Sequence, residues 1–557
     1  MDDWVAIRAL LAKADDGRQA SALGALRDLD ALGHPWPAAA RVHVLRNYTL
    51  EPVVPFARLA GFRRGVKLDV TLSDFDTYYQ ELLDPGSALR RSRCDIVLVS
   101  LALDRLAMAG AEGLDVAAVS DHIEDVVAKA RDVTSATVAV ATFLPPLVRS
   151  SVWSGWGQLA AINRRVHELE AAHSRVVVID LGAVAANARG DVIDERFWYM
   201  HRAPLSGAML RSLGDEVGSI AARAQGRGKK VAVLDCDNTL WGGIVGEDGP
   251  SEIRLDPHEY PGCAYHAFQR ELLELQRAGV LLAICSKNNE ADVLEIVDRH
   301  PHMVLRREHF AAWEIGWTNK ADAMQRLAKA LNLGLDSMVF FDDSPVECQL
   351  VREEHPMVDV LQTPASAHDL PAMLRCYRGF APASRTEEDR VRTASYAAER
   401  ERQRAAEKFV DIDAFLGSLA LEVDVGAPRA DEVERVAQLL LRTNQFNLTT
   451  RRHSMGDVEA FARSDDAEIV VMKVRDRYGE YGLTGLAMVR RKDRAVEIDS
   501  FLMSCRVLGR KLEDVLLGEV LATIRRRWGD APILAEFRAT EKNAQVAEFY
   551  DTRGFRI

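Results

Sequence analysis

No apolar run in the chain approaches the roughly 20 residues a membrane-spanning helix requires, so a membrane role is not expected. Cysteine is scarce. The seven residues, at 94, 236, 263, 285, 348, 376 and 505, show no CxxC spacing. In a chain this long, that scatter argues against a disulfide framework or a zinc site and points to reduced thiols in the cytoplasm. The start, MDDWVAIRALL, lacks the basic residues and cleavage pattern of a signal peptide. There is no repeat at solenoid periods and no low-complexity segment. Positive charge is in deficit, with a net charge of −12, which argues against a nucleic-acid partner while leaving room for local basic patches.

What is present is the material of a large folded protein. The 557 residues are 48% hydrophobic and 28% charged, enough to bury a sizeable core. At roughly 100–200 residues per domain, three or four domains are expected. An amphipathic helix is expected near 4–31. It is followed by β-branched runs at 42–47, 67–72, 95–101, 137–144 and 174–181 with helical patterns between them, the signature of a mostly parallel α/β sheet over residues 1–225. The small, basic stretch AARAQGRGKK (221–230) marks a boundary. Residues 226–385 alternate strand and helix patterns again and predict a doubly wound sheet with function at the carboxyl ends of its strands. A charged stretch, 386–408, reads as a solvated linking helix or, alternatively, a basic docking patch. Residues 409–557 predict a separate α+β unit: three antiparallel strand patterns, a helix over 506–527 and a terminal helix over 543–555.

The middle segment carries the chemistry. VAVLD (231–235) is a buried-strand pattern ending on a carboxylate, continued as DCDNTLWGG. Two aspartates two residues apart at a strand end can share one pocket. Asp235 can attack phosphorus, and Asp237 can protonate the leaving oxygen and later deprotonate water. Clustered carboxylates of this kind suit Mg²⁺. LLAICSK (281–287) ends a second buried strand at Ser286, a phosphate-binding candidate. Lys320 opens a helix and can neutralise phosphate charge. SMVFFDD (337–343) ends a third strand in Asp342 and Asp343, which complete the metal residues. The bland reading of DxDxT alone is a solvated turn; three strands each ending in a group that one reaction needs is the stronger pattern.

The order DCDNT, Ser286, Lys320, FFDD resembles the haloacid dehalogenase (HAD) superfamily. More narrowly, LDCDNTLWGGIVGEDG with CSKNN, FFDDSP and RTNQFNLTTRR resembles the FkbH-like family over nearly the whole chain. The resemblance implies a central HAD-like sheet, an N-terminal SGNH-like domain and a C-terminal GNAT-like domain. It implies Asp235 as nucleophile and metal ligand, and Asp237 as acid/base with its carbonyl on the metal. Thr239, Ser286 and Lys320 would bind phosphate, and Asp342 and Asp343 would finish the Mg²⁺ shell. It also implies a reaction. Phosphate is removed from 1,3-bisphosphoglycerate, and a glyceryl group passes to the phosphopantetheine thiol of an acyl carrier protein, in polyketide or related biosynthesis. WGGIVGEDG reads as a short glycine-hinged flap that leaves the site open.

Such loading calls for a thiol, and Cys236 and Cys285 are the candidates; the plainer reading of each is a small buried hydrophobe. Cys285 precedes Ser286 on a strand, so alternation sends it to the opposite face, whereas Cys236 lies past the strand end. In the C-terminal unit, Arg506, Gly509 and Arg510 form an RxxGR pattern that can wrap a pyrophosphate or simply close a helix end. Arg442, Asn444 and Asn447 can line a pantetheine groove or serve as caps and turns. The N-terminal part shows Asn47 and Thr49 after its first strand, not the Gly-Asp-Ser turn of an SGNH hydrolase, so docking or scaffolding is expected of it. SVWSGWGQ (151–158) carries two tryptophans that fit a partner or an aromatic core. Arg63, Arg64 and Lys67, or Arg525, Arg526 and Arg527, are candidate basic faces for an acidic carrier. Two other functions stay open: a plain phosphatase of a small phosphate ester, and a noncatalytic carrier-binding scaffold.

Overall fold

Every β-branched run of the first 205 residues becomes a strand. In the computed structural model, β1 (Ala38–Arg46), β2 (Val66–Leu72), β3 (Ile96–Ser100), β4 (Thr137–Ala141) and β5 (Val176–Ile179) pair in the order β2-β1-β3-β4-β5. All four pairings are parallel. The structure describes residues 2–14, 18–106, 109–110, 113–147, 153–188, 190–250, 252–380, 417–443, 446–477, 479–504, 507–508, 510–540 and 543–556. The charged stretch 386–408 lies outside them. The chain divides into two compact units, residues 1–227 with 453–458, and residues 228–452 with 459–557.

Side-chain alternation explains the first unit's two-sided core. Val97 and Val99 pack on one face with Val119, Ile123 and Ile162 of the helices Val116–Val133 and Trp156–Ala172. Ile96 and Leu98 pack on the other with Ala57, Met209 and Leu213 of the helices Val53–Arg63 and Gly207–Ala224. Those last two helices approach closely because Gly214 and Gly218 lack a Cβ: one at Gly218 would lie 2.5 Å from Ala60 Cβ. The single helix expected over 4–31 is two, Asp2–Ala12 and Gln19–Ala31.

In the second unit, β6 (Val231–Leu234), β7 (Leu281–Ser286), β8 (Phe310–Ile315), β9 (Met338–Asp342) and β10 (Asp359–Gln362) form another parallel five-stranded sheet, in the order β8-β7-β6-β9-β10. Its strands are apolar on both faces. Val231, Val233, Ala283, Cys285, Met338 and Phe340 pack on one side with Met324 and Leu327 of the helix Lys320–Ala330. Leu234, Ile284 and Phe341 pack on the other with Phe268 and Leu272 of the helix Gly262–Arg277.

The unit's second sheet is mixed. β11 (Glu422–Gly426), β12 (Phe446–Asn447), β13 (Ala467–Asp476), β14 (Gly479–Lys492) and β15 (Ala495–Met503) pair antiparallel in the order β11-β13-β14-β15-β12, and β16 (Ile533–Ala535) adds parallel to β15. The helix expected at 506–527 runs from Leu512 to Trp528. Instead of a terminal helix over 543–555, two single 3₁₀ turns occur, Ala544–Val546 and Asp551–Arg553. Phe549 and Tyr550 between them are buried against Phe501 and Phe555, so aromatic packing shapes this end more than helical repetition does. No helix among the described residues is long and apolar enough to cross a membrane.

Candidate active site

The parity of side chains along β6, β7 and β9 decides who meets whom at their carboxyl ends. Asp235 extends the ladder by one step, its amide donating to the Phe341 carbonyl at 2.9 Å. By alternation Asp235 and Asp342 emerge on the face covered by the helix Lys320–Ala330. Asn319 caps that helix by accepting from Ala321 N at 2.7 Å, which holds Lys320 at its first turn. Lys320 Nζ therefore reaches Asp235 Oδ1 at 3.0 Å and Asp342 Oδ2 in a still shorter contact, with all three residues buried. Asp342 Oδ1 also accepts from Ser344 N at 2.8 Å.

One ammonium is set against several acids. Oxygens of Asp235, Asp342 and Asp343 lie within 4.8 Å of one another. Burial, and then the Asp235 charge, push the Asp342 carboxyl up to about 7 although Lys320 pulls the other way. Burial raises Asp235 as well, against the same ammonium. Burial opposes the Lys320 charge, but the two carboxylates outweigh it and hold the ammonium above its usual range. Hard oxygen donors with uncompensated negative charge, clustered and buried, fit a small divalent cation such as Mg²⁺.

Asp237 faces a different set of partners. Its Oδ1 accepts from Trp241 Nε1 at 3.0 Å and from Val245 N at 3.2 Å, and its Oδ2 accepts from Asn288 Nδ2 at 2.9 Å. Its carboxylate is not one of the three clustered acids, so only three of the four expected metal residues converge through their side chains. Asn288 also donates to Ser286 Oγ at 3.1 Å and thereby ties the serine to Asp237. Sequence reasoning assigned no role to Asn288 or Trp241. The signals were the first Asn after Ser286 in CSKNN and the Trp closing DCDNTLW. Thr239 is fully buried and its hydroxyl has no partner among the described residues.

The two candidate thiols part company. Cys236 is fully buried in the core cluster with Leu234, Leu240 and Trp241, close to Ser286. Burial, and then the Asp235 charge, push that thiol far above its ordinary range. Cys285 is turned to the face opposite Ser286, the one under the helix Lys320–Ala330 that also carries Asp235 and Asp342, with Sγ 4.0 Å from the Lys320 carbonyl and its pKa pushed up to about 12 by burial. It is packed there in the apolar core with Ala283, Met324 and Leu327. The WGGIVGEDG segment is also more tightly held than a free hinge. Trp241 is fully buried, Gly243 takes φ +101°, and Gly242 and Arg254 exchange two backbone hydrogen bonds of 3.1 and 2.8 Å.

Of the C-terminal candidates, Asn447 and Arg510 have described side chains. Arg506, Gly509 and Asn444 lie outside the described residues, as does the side chain of Arg442. Arg510 rests over the Tyr481 ring at 4.7 Å. Asn447 does not line a groove: it is fully buried, donating to the Thr443 carbonyl at 3.2 Å and accepting from Thr450 N at 2.9 Å. Thr450 has φ +50°, and a side-chain amide holding such a turn is the structural alternative realised. The basic run at the end of the helix Leu512–Trp528 is already engaged, Arg525 with Asp530, Arg526 with Glu519 and Arg527 with Glu468. In the first unit Arg64 pairs with Asp215 at 2.9 Å. Of the two tryptophans at 151–158, Trp153 and Trp156 meet edge-on at 5.1 Å, and Trp156 is exposed.

With this geometry in view, one solved structure stands out. The N-terminal part of the protein BF1531 from Bacteroides fragilis, containing a phosphatase domain and complexed with Mg, is 26% identical and covers 62% of this chain and 95% of its own, with a TM-score of 0.57. This chain shares that fold. An acetyltransferase from Trypanosoma brucei covers 24% of this chain and 94% of its own, at 16% identity and a TM-score of 0.19, too low to support an argument. The chain matches no family model and no curated protein.

Proposed function

We propose that this chain is a Mg²⁺-dependent phosphatase and acyltransferase of the FkbH-like kind. It removes phosphate from 1,3-bisphosphoglycerate and loads the glyceryl group onto the phosphopantetheine thiol of an acyl carrier protein. The observation that carries the phosphatase part is the convergence of Lys320 on Asp235 and Asp342 at the carboxyl ends of β6 and β9, with Ser286 and Asp237 beside them. Likeness to a phosphatase-domain protein complexed with Mg supports the same reading.

The two phosphates leave by different chemistry. At the ester phosphate, Asp235 bonds to phosphorus while the P–O bond to the glyceryl oxygen breaks, and Asp237 donates the proton that oxygen takes up. Water, deprotonated by Asp237, then opens the aspartyl-phosphate and releases inorganic phosphate. Lys320 and Ser286 hold the phosphoryl oxygens throughout, in a buried site where fixed charge acts strongly. Mg²⁺ held by Asp235, Asp342 and Asp343 supplies the remaining charge neutralisation. At the acyl phosphate, a thiol sulfur bonds to the carbonyl carbon, the C–O bond breaks, and phosphate departs with the thiol proton. Cys236 is the enzyme thiol in this reading; exchange with the carrier thiol then regenerates it. The C-terminal sheet, read as GNAT-like, would hold the pantetheine arm, through Arg506, Gly509 and Arg510 with Arg442 and Asn444. The first unit serves docking. A cytoplasmic setting goes with this reading, since the six described cysteines are all free.

A second reading, a plain phosphatase of a small phosphate ester, is favoured by the burial that keeps both candidate thiols protonated. Intact-protein mass spectrometry of a holo carrier protein, incubated with the enzyme, Mg²⁺ and freshly generated 1,3-bisphosphoglycerate, separates the two. A glyceryl adduct that Asp235→Asn and Cys236→Ala each abolish supports loading. Phosphate release without an adduct on carrier or enzyme, across several carrier proteins, leaves the plain phosphatase.

A further inference from the structure

The segment that pairs with the turn following Asp237 carries an arginine to which the chemistry above gives no task. Ile253 and Leu255 are buried in the core, and Arg254 between them is exposed, so its side chain leaves the opposite side of the strand-like segment. Its backbone is anchored by two hydrogen bonds to Gly242. Gly242 directly follows Trp241, whose indole holds the Asp237 carboxylate. A Cβ at Gly242 would lie 3.3 Å from Arg254 Cβ and 2.8 Å from the Tyr265 ring, so glycine is what lets arginine, ring and flap come together. Tyr265 in turn stands within electrostatic reach of both Arg254 and Asp343. Next along the chain, Gly262 lets the helix Gly262–Arg277 approach the Asp256 backbone to 2.5 Å from where its Cβ would stand, which fixes the segment from the other end.

Arg254 is thus an exposed cation on a backbone fixed to Gly242, next in sequence to the tryptophan that holds Asp237. Its guanidinium has no hydrogen-bond or ion-pair partner among the described residues. Lys287, also close to Ser286 in sequence, is by contrast neutralised by Glu347 at 2.6 Å. An arginine fork matches a carboxylate or a second phosphate in a way that a lone phosphoryl group, held by Lys320 and Ser286, does not require.

We propose that Arg254 is a specificity-determining residue: it binds a second anionic group of the substrate, so the site selects phosphate esters of small acids over phosphate esters of neutral alcohols. This rests on the phosphoryl-transfer reading of Asp235 and is independent of any acyl transfer.

The test uses a matched pair of probes, 3-phosphoglycerate, with phosphate and carboxylate, and glycerol 1-phosphate, with phosphate alone. Their affinities for the full chain with Mg²⁺ are measured by titration calorimetry in an Asp235→Asn background, with Arg254, Arg254→Ala and Arg254→Lys. The expected result is that Arg254→Ala lowers the ratio of the two affinities roughly 10- to 100-fold, the range for a hydrogen bond to a charged group, and that Arg254→Lys restores part of it. An unchanged ratio overturns the proposal, whether both affinities fall together or neither moves. So does a protein with Arg254 intact that shows no preference for 3-phosphoglycerate. Phosphate release that survives Asp235→Asn refutes the nucleophile instead, and it leaves the affinity ratio to be read on its own.

Discussion

The two parallel sheets have five strands each and apolar cores on both faces, yet their carboxyl ends are finished in opposite ways. Around β1 and β3 the polar groups answer one another. Arg46 donates to the Ser73 and Tyr48 carbonyls at 3.2 Å and pairs with Glu51 at 2.7 Å, while Tyr48 and Ser100 share a hydrogen bond of 2.8 Å. Asn47 uses both amide atoms on the backbone of Ala102, at 3.0 and 2.7 Å. Around β6 and β9 the acids outnumber the cation that faces them. A parallel sheet offers a crevice where its strand order reverses. What separates a scaffold from a reaction centre here is whether the groups at that crevice are already satisfied. Around β1 and β3 of the first sheet Arg46, Asn47, Tyr48 and Ser100 are all paired, and stability is gained; in the second sheet charge is left unbalanced, and a cation and a substrate are invited.

That contrast breaks first at Asp235. Asp235→Asn keeps the shape and removes the nucleophile, so phosphate release is expected to fall by at least about 10³-fold in a colorimetric phosphate assay. Near-normal release would mean that the second sheet's imbalance is not catalytic. Next comes Lys320→Met, which leaves two buried carboxylates facing each other. Without added Mg²⁺ it is expected to cost about 3–5 kcal/mol in urea unfolding, and a variant as stable as the parent would show that the charges are not truly buried. In the first sheet, Asn47→Ala strips both hydrogen bonds from Ala102 and should cost about 1–3 kcal/mol, with phosphate release unaltered. If hydrolysis collapsed while the fold stood, the first unit would have to be counted as catalytic. The smallest effect concerns pH. Burial tends to raise the Glu81 carboxyl, but the His43 hydrogen bond and charge and the Leu89 amide outweigh it and hold the group below its usual value. Its contribution is therefore complete above the ordinary carboxylate range and is lost as pH falls through the folded value. Unfolding curves between neutral and acid pH should show a loss of order 1 kcal/mol that Glu81→Gln flattens.

Much of the reaction centre was legible because it is written at strand ends. A run such as VAVLD or SMVFFD announces a buried strand, and a carboxylate at its close has one place to go. Ser286 and Lys320 followed by the same logic, as did the placing of Cys285 on the face opposite Ser286. Sequence alone does not decide where local signs have two meanings. Asn447 carries the polar chemistry of a groove and of a turn alike, and only its partners Thr443 and Thr450 decide between them. Likewise, three consecutive arginines at 525–527 look like a docking face until each is found with its own acid.

By itself, then, the order of residues determined the alternation of strand and helix, the faces on which side chains emerge, and the set of acids at the strand ends, because these follow from a period of two and from local polarity. Tertiary structure alone decided which acids share a cation, that Asp237 is held by Trp241 and Asn288 apart from the carboxylate cluster, and that Cys236 and Cys285 are both buried, in the cores on opposite faces of the sheet. Charge balance, burial and hydrogen bonding are properties of neighbours distant along the chain, and only folding brings those neighbours together.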